Sequence, residues 1–158
     1  MKKSIFVVRH GHANFTASKD FERVLTLDGI KAVNKTAAFI NQICLDLGIS
    51  IDYCLTSAAH RTKQTAEIIC FKNSINQCIS DLDLYSTVAS KWVDKISELP
   101  NKNIVLVGHN PTLSQLINNL CGYDGYMQPA DCAFITIEIK PDGIIYPAQL
   151  KQYYQNES

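Results

Sequence analysis

The sequence has no excess of charge of either sign and no long apolar run. Fifteen Lys and Arg residues balance fifteen Asp and Glu residues, so the chain lacks the basic surface typical of proteins that bind nucleic acids or anionic membranes. Its first apolar run is interrupted at Arg9, too early for a secretory signal or a membrane span. We therefore predict a cytoplasmic protein without nucleic-acid or membrane partners, in which any bound anion is held by local charge.

The cysteines also lack a recognisable pattern, because none of the six forms a C-x-x-C pair. Zinc sites usually have closely spaced thiolates, and disulfides are rare in reducing compartments. Several of the cysteines lie in apolar segments, which is typical of small buried side chains. We predict no metal and no cofactor, and six small buried thiols: Cys44, Cys54, Cys70, Cys78, Cys121 and Cys132.

Strand and helix patterns alternate along the chain. Apolar periodicity predicts strands at 5–8, 51–56, 77–80, 104–107 and 132–139, and helices at 27–47, 58–71, 88–99 and 112–120. The strand at 132–139 has its apolar residues in alternation except for Phe134, which indicates one less buried face. This order predicts a single domain over 1–158, a three-layer α/β/α sandwich with a mainly parallel central sheet and an antiparallel strand near the C-terminus.

Two of the predicted strands are followed directly by a histidine. Arg9, His10 and Gly11 follow the strand at 5–8, and His109 follows the strand at 104–107, between Gly108 and Asn110. In parallel sheets, ligands collect beyond the carboxyl ends of the strands, and glycine lets a ligand or the backbone approach closely. The sequence therefore predicts that Arg9 and both histidines line one anion-binding rim.

Two further arginines are candidates for the same anion. Arg61 lies near the start of a predicted helix, where a cation opposes the helix dipole unless an anion lies between them; the alternative is a surface cation paired with Glu67 or nearby Asp residues. Arg23 lies in the long loop after the first strand, where a solvated arginine is the alternative. Asn110 either contacts the anion or caps the helix that follows it.

The other two histidines give weaker evidence of a role in the site. His12 forms an H-x-H pattern with His10, which is weak evidence for a metal in a strand-to-loop turn, so we interpret His12 as a polar residue at the rim. His60 precedes Arg61, and we predict that its side chain is exposed to solvent.

Four of these segments occur in an order that resembles the histidine phosphatase superfamily, the clan that includes phosphoglycerate mutases and acid phosphatases. The segments are V-R-H-G at 8–11, R-V-L-T at 23–26 with Gly29, T-S-x-x-x-R-x-x-Q-T at 56–65, and G-H-N-P at 108–111. They span most of the chain. The compact length, and Leu84-Tyr85 before the predicted helix at 88–99, are similar to the short SixA-type phosphohistidine phosphatases.

This resemblance implies a phosphoglycerate mutase-like fold and a metal-independent phosphatase. His10 would be the nucleophile and would form a phosphohistidine intermediate, while Arg9, Arg61 and His109 would hold the phosphoryl oxygens. Arg23 would bind the same phosphate or steer the substrate. Gly11 and Asn110 are further candidates for phosphate contacts.

The substrate class is less well defined than the reaction. Relatives that cleave phosphomonoesters use a carboxylic acid to protonate the leaving alkoxide, and here Asp81 and Asp83 are weak candidates. An imidazole leaving group needs less help, which favours phosphohistidine on a signalling or phosphocarrier protein. The alternatives are a phosphomonoesterase or mutase acting on a small phosphorylated metabolite, and a phosphate-binding module without turnover.

Overall fold

A six-stranded sheet forms the middle of the molecule. The computed structural model describes residues 1–156, and the strands are β1 (Lys2–Arg9), β2 (Tyr53–Ser57), β3 (Cys78–Asp81), β4 (Asn103–Gly108), β5 (Cys132–Lys140) and β6 (Gly143–Tyr154). Their spatial order is β3-β2-β4-β1-β5-β6. The first four strands in that order are parallel, whereas β5 runs antiparallel to β1 and β6 antiparallel to β5. The predicted mainly parallel sheet is confirmed.

Four helices cover the two faces of this sheet: α1 (Leu27–Leu47), α2 (His60–Asn73), α3 (Ala89–Glu98) and α4 (Thr112–Cys121). The first two pack on one face and the last two on the other, so the predicted three-layer sandwich is confirmed. The Thr26 side chain caps α1 by accepting a hydrogen bond from the Gly29 amide, and Gly48 ends the helix in the left-handed conformation. Within residues 1–156, no helix is long and apolar enough to cross a membrane.

The strand β1 is buried on both faces because helices cover it from both sides. Ile5 and Val7 pack toward α3 and α4, while Phe6 and Val8 pack toward α1 and α2. Phe134 of β5 stacks on Phe6 with ring centroids 4.6 Å apart. The first half of β5 is buried on both faces, so the prediction of one less buried face is wrong there. The reason is that this part of β5 lies beside β1, which is covered by helices on both faces.

The long final strand β6 is the element that the sequence pattern did not locate. It contains Pro147, which cannot donate to a ladder and is tolerated on an outer strand. Its pairing with β5 shifts register twice, between Phe134 and Ile135 and between Thr136 and Glu138. Those irregularities interrupt the alternation of exposed and buried residues on which a strand prediction depends.

The prediction of six buried thiols is wrong for two of them. Cys78 is exposed and Cys121 is half-buried, whereas the other four are buried. In addition, the Sγ atoms of three cysteines lie within 4.8 Å of one another, at the edge of the sheet formed by β2 and β3: Cys54, Cys70 and Cys78. All six are free thiols.

Candidate active site

The pairing of β1 with β4 brings the two predicted histidines together. Arg9 is in register with Gly108, and the His10 amide donates to the Gly108 carbonyl at 3.1 Å. The rings of His10 and His109 consequently lie edge to face, with centroids 5.4 Å apart. This arrangement is the convergence at one rim that parallel strands ending in histidine predict.

His10 is held as a neutral imidazole with a fixed orientation. Its Nδ1 lies 2.7 Å from the Gly11 carbonyl oxygen, an acceptor, so Nδ1 carries the proton. Nε2 then keeps its lone pair, and it accepts a hydrogen bond from Arg61 Nε at 3.3 Å. Burial, assisted by the charges of Arg61 and Arg9, lowers the pKa of His10 to about 3, although the Gly11 carbonyl opposes this shift. Nε2 is thus an unprotonated nitrogen beside a cation.

Arg61 is buried at the centre of the site, in the first turn of α2. The Arg61 side chain is only 7% exposed, so it is not the surface cation of the alternative, although it does form an ion pair with an aspartate, Asp20. Its Nη1 donates to the Asp20 carbonyl at 2.8 Å, and its Nη2 contacts an Asp20 carboxylate oxygen and His109 Nδ1 at 3.1 and 3.4 Å. One guanidinium therefore joins both histidines to the loop that follows β1.

His109 is neutral for the same physical reasons. Because Arg61 donates to Nδ1, the ring proton lies on Nε2 and is donated to Ser57 Oγ, 2.8 Å away at the end of β2. Burial first, and the charge of Arg61 second, lower the pKa of His109 to about 4. The sequence analysis did not identify Ser57 as a partner, although the residue lies in the T-S segment at 56–57.

Arg9 and Asn110 both contact the loop before β5. Arg9 Nη1 and Asn110 Nδ2 donate to the same Met127 carbonyl, at 2.9 and 2.7 Å. Arg9 Nε is buried and has no partner within residues 1–156, so this arginine retains a donor for a ligand. Asn110 Oδ1 accepts from the Ser114 amide at 3.1 Å, which supports the capping interpretation of Asn110.

At the two glycines of the rim, the space that a side chain would fill is occupied by side chains of neighbouring helices. A Cβ on Gly11 would lie 2.7 Å from Val33 of α1, and a Cβ on Gly108 would lie 2.7 Å from Trp92 of α3. The Gly11 amide donates to Thr65 Oγ1 at 3.1 Å. The Gly11 amide, through which this predicted phosphate contact would act, is therefore already hydrogen-bonded within the protein. The close approach of backbone that we expected at Gly11 is present, because the Gly29 carbonyl oxygen would lie 3.0 Å from a Cβ there.

Arg23 lies on the outer side of the site. It is linked to Arg61 by the carboxylate of Asp20, which contacts both arginines. Its Nε donates to the Asn14 carbonyl at 2.8 Å, and its Nη1 forms an ion pair with Asp20 at 3.1 Å. Its guanidinium also stacks on the exposed ring of Phe15, 4.0 Å from the centroid. The structure brings Arg23 toward Arg61 by way of Asp20.

The carboxylate of Asp20 occupies the place that an anionic ligand would take between these arginines. Besides Arg61 and Arg23, it accepts a 2.6 Å hydrogen bond from the Tyr85 hydroxyl. The Tyr85 hydrogen bond and the two arginines hold the pKa of Asp20 well below its ordinary value. Its side chain is 54% exposed, so Asp20 is an ionised anion at the solvent side of the site.

Asp20 was not predicted from the sequence, and Tyr85 was named only as part of the family resemblance, without a role; the two carboxylates that were predicted as weak candidates lie elsewhere. Asp81 forms an ion pair with Lys95 at 3.0 Å and accepts from the Asp83 amide at 2.8 Å. Asp83 itself is exposed. The one available signal for Asp20 is its position three residues before Arg23, which is the spacing of a local ion pair.

Solved structures share this fold at low sequence identity, whereas no protein-family model and no curated protein matches the sequence. A candidate phosphohistidine phosphatase SixA from Agrobacterium tumefaciens is 20% identical, with a TM-score of 0.78 over 96% of this chain and 97% of that one. The protein histidine phosphatase SixA complexed with tungstate is 19% identical, with a TM-score of 0.77 over 97% of each chain.

A metabolic enzyme has the same architecture. Phosphoglycerate mutase from Plasmodium falciparum is 16% identical, with a TM-score of 0.68 over 99% of this chain and 93% of that one. The chain described here therefore has the fold of SixA and phosphoglycerate mutase-like proteins, as its sequence motifs predict.

Proposed function

We propose that this protein is a phosphatase that hydrolyses phosphohistidine on a protein substrate through a phospho-His10 intermediate, without a metal ion. The observation that carries the proposal is the state of His10. Its Nδ1–H donates to the Gly11 carbonyl, and its Nε2 lone pair lies among Arg61, Arg9 and His109. An uncharged nitrogen nucleophile surrounded by donors is what attack on a phosphoryl group requires.

In the first step, His10 Nε2 attacks phosphorus. A new bond forms between Nε2 and phosphorus, and the bond between phosphorus and the substrate nitrogen breaks, with its electron pair leaving on that nitrogen. Arg61 Nε, which donates to Nε2 at 3.3 Å, turns to a phosphoryl oxygen. The lone pair is then available for attack because its former donor now stabilises the transferring group.

Arg61, Arg9 and the ring of His109 stabilise the negative charge on the phosphoryl oxygens. Arg9 contributes its unpaired Nε. As the phosphoryl group enters, the exposed Asp20 carboxylate leaves the Arg61 guanidinium, since two anions cannot share it without repulsion. Arg23, which pairs with Asp20, then contributes a further positive charge.

The carboxylate chemistry favours phosphohistidine over a phosphate ester. Asp20 is ionised, with a pKa held well below its ordinary value, so it lacks the proton that an alkoxide would need. An imidazole has an unperturbed pKa of about 6.5 and can take a proton from solvent near neutral pH. The site therefore suits a leaving group that requires no strong internal acid.

In the second step, water attacks the phosphorus of phospho-His10. The bond between phosphorus and Nε2 breaks, its electrons return to Nε2, and inorganic phosphate leaves. The Nδ1 hydrogen bond to the Gly11 carbonyl is unchanged in both steps, so the imidazole keeps its orientation through the cycle.

The surroundings of the arginines suit a protein substrate. Phe15 is 78% exposed beside Arg23, and Tyr126 is 59% exposed with its ring centroid 5.7 Å from Arg9 Cζ. Exposed aromatic rings next to arginines are characteristic of protein-binding surfaces. The similarity to phosphoglycerate mutase keeps a small phosphorylated metabolite as the second candidate substrate.

The decisive experiment compares phosphate release from a histidine-phosphorylated carrier protein and from a simple phosphomonoester, both with EDTA present. We expect faster release from the carrier, and a loss of at least about 1,000-fold in His10→Ala. His12→Ala is the matched control, since the His12 side chain is exposed. Preference for the ester would favour the metabolite hypothesis.

A second measurement separates an enzyme from a binding module. After rapid mixing with phosphorylated carrier and quenching in alkali, which preserves phosphohistidine, label should be found on His10 of the protein and should decay as phosphate appears. Label that persists would indicate a phosphate-binding module without turnover, and full activity of His10→Ala would refute the proposed mechanism.

A further inference from the structure

Three cysteines that the phosphatase mechanism does not use form a compact cluster. Cys54 lies in β2, Cys70 in the last turn of α2, and Cys78 at the start of β3. Each Sγ atom is within 4.8 Å of the other two. Cys54 and Cys70 are buried, whereas Cys78 is exposed at the sheet edge.

The fold fixes this cluster through backbone geometry. Cys54 and Cys78 are register partners in neighbouring parallel strands, and side chains of partnered residues lie on the same face of the sheet. Helix α2 connects these strands and packs on that face, so its last turn brings Cys70 over the pair. The three thiols therefore come from three rigid elements rather than from a flexible loop.

The spacing suits one metal ion. A tetrahedral zinc ion with Zn–S bonds of about 2.3 Å places its sulfur ligands about 3.8 Å apart. Sulfur atoms that already lie within 4.8 Å of one another reach that geometry by side-chain rotations and small shifts. Cys78 is exposed, so an ion has a route from solvent, and water can fill the fourth coordination position.

We propose that Cys54, Cys70 and Cys78 bind one thiophilic cation, Zn²⁺, as three thiolates with water as the fourth ligand. Three Zn–S bonds form, the three thiols lose their protons to solvent, and hydrating waters leave the ion. No oxidant or reductant takes part. Zinc fits because it prefers sulfur ligands and tetrahedral coordination.

Such an ion would act on stability rather than on the phosphoryl transfer. Arg61 lies in the first turn of α2 and Cys70 in its last, which corresponds to about 13 Å along the helix axis. The ion would join β2, α2 and β3, the elements that carry Ser57 and Arg61. Zinc binding can therefore be tested independently of the proposed phosphatase activity.

The test uses the full-length protein, fully reduced and freed of metal. We expect it to bind one Zn²⁺ per chain with a Kd below about 1 μM in competition with a chromophoric chelator. Co²⁺ should give a thiolate-to-metal charge-transfer band, and saturating Zn²⁺ should raise the Tm, because a ligand of the folded state stabilises it.

Two cysteine variants, one inside the cluster and one outside it, distinguish this site from adventitious metal binding. Cys78→Ser should weaken Zn²⁺ binding by at least about 100-fold and abolish both the charge-transfer band and the Tm rise. Cys121→Ser removes a thiol outside the cluster and should change none of these. Cys78→Ala provides a second test, and circular dichroism verifies that each variant is folded.

Three results would overturn the proposal. One is a Zn²⁺ affinity that is equal in the parent protein and Cys78→Ser. Another is an equal loss in Cys121→Ser. The third is a reduced protein that fails to bind Zn²⁺ yet loses two thiols on mild oxidation, which would assign the cluster to disulfide formation instead.

Discussion

The burial of His10 and His109 should make the free energy of unfolding fall as the pH drops from about 7.5 to about 5. In the folded protein their pKa values are about 3 and about 4, whereas an unfolded histidine has a pKa of about 6.5. Over this range the unfolded chain takes up a proton at each ring and the folded protein does not. Stability is lost as the pH falls, because the unfolded state binds more protons.

The size of this effect follows from the pKa differences. Once the pH is below about 6.5, each histidine changes the free energy of unfolding by about 1.4 kcal/mol per pH unit. Between about pH 7.5 and about pH 5 this amounts to about 2 kcal/mol for each ring, or about 4 kcal/mol for both. Such a loss is a large part of the stability of an ordinary domain.

The assay is urea unfolding at constant ionic strength, without phosphate or sulfate. The variant His10→Asn should lose about 2 kcal/mol less than the parent protein across this pH range, and His109→Asn should behave similarly. His12→Asn and His60→Asn are matched controls, since both side chains are exposed, and we expect the parent pH dependence. If His10→Asn keeps the full parent loss, the neutral-nucleophile argument is refuted.

Three further predictions concern single side chains. Asp20→Asn removes the internal carboxylate from Arg61, and we expect inorganic phosphate to bind about 5- to 10-fold more tightly by calorimetry, since the two ion pairs of the half-exposed Asp20 carboxylate contribute about 1 kcal/mol or slightly more; an unchanged Kd would contradict the role of Asp20 as an internal anion. Gly29→Ala places a Cβ 2.2 Å from the His12 carbonyl oxygen, and should lower the free energy of unfolding by about 2 kcal/mol or more in urea; a stable variant would show that α1 can shift. Asn110→Ala removes the cap of α4 and a hydrogen bond to the loop before β5, and should cost about 1–2 kcal/mol; a Tm equal to that of the parent would contradict it.

The regular elements could be predicted from sequence where local signals agree. Helix α1 has the predicted bounds because its apolar periodicity is framed by a capping Thr26 and a left-handed Gly48. The histidines could be placed at one rim because β1 and β4 are short continuous apolar runs, typical of buried parallel strands. In both cases, a local pattern decided the local structure.

The features that the sequence did not predict depend on contacts between distant segments. Asp20 reaches Arg61 only because the loop after β1 folds back, with Ala13 and Leu25 forming an isolated bridge. The cysteine cluster requires the register of Cys54 with Cys78, and residue spacing does not encode register. Strand β6 was missed because its pattern is broken by Pro147 and by shifts in pairing.

The register of Arg9 with Gly108 has a consequence for biosynthesis. The partner strand β4 leaves the ribosome about a hundred residues after His10, several seconds later at usual rates of translation. Until then, the apolar run of β1 lacks the neighbour that lies beside it in the folded sheet, and such an edge invites pairing with other chains. Nascent chains that stop before Asn103 should therefore depend on chaperones, and the rim that holds both histidines should form only after synthesis has passed His109.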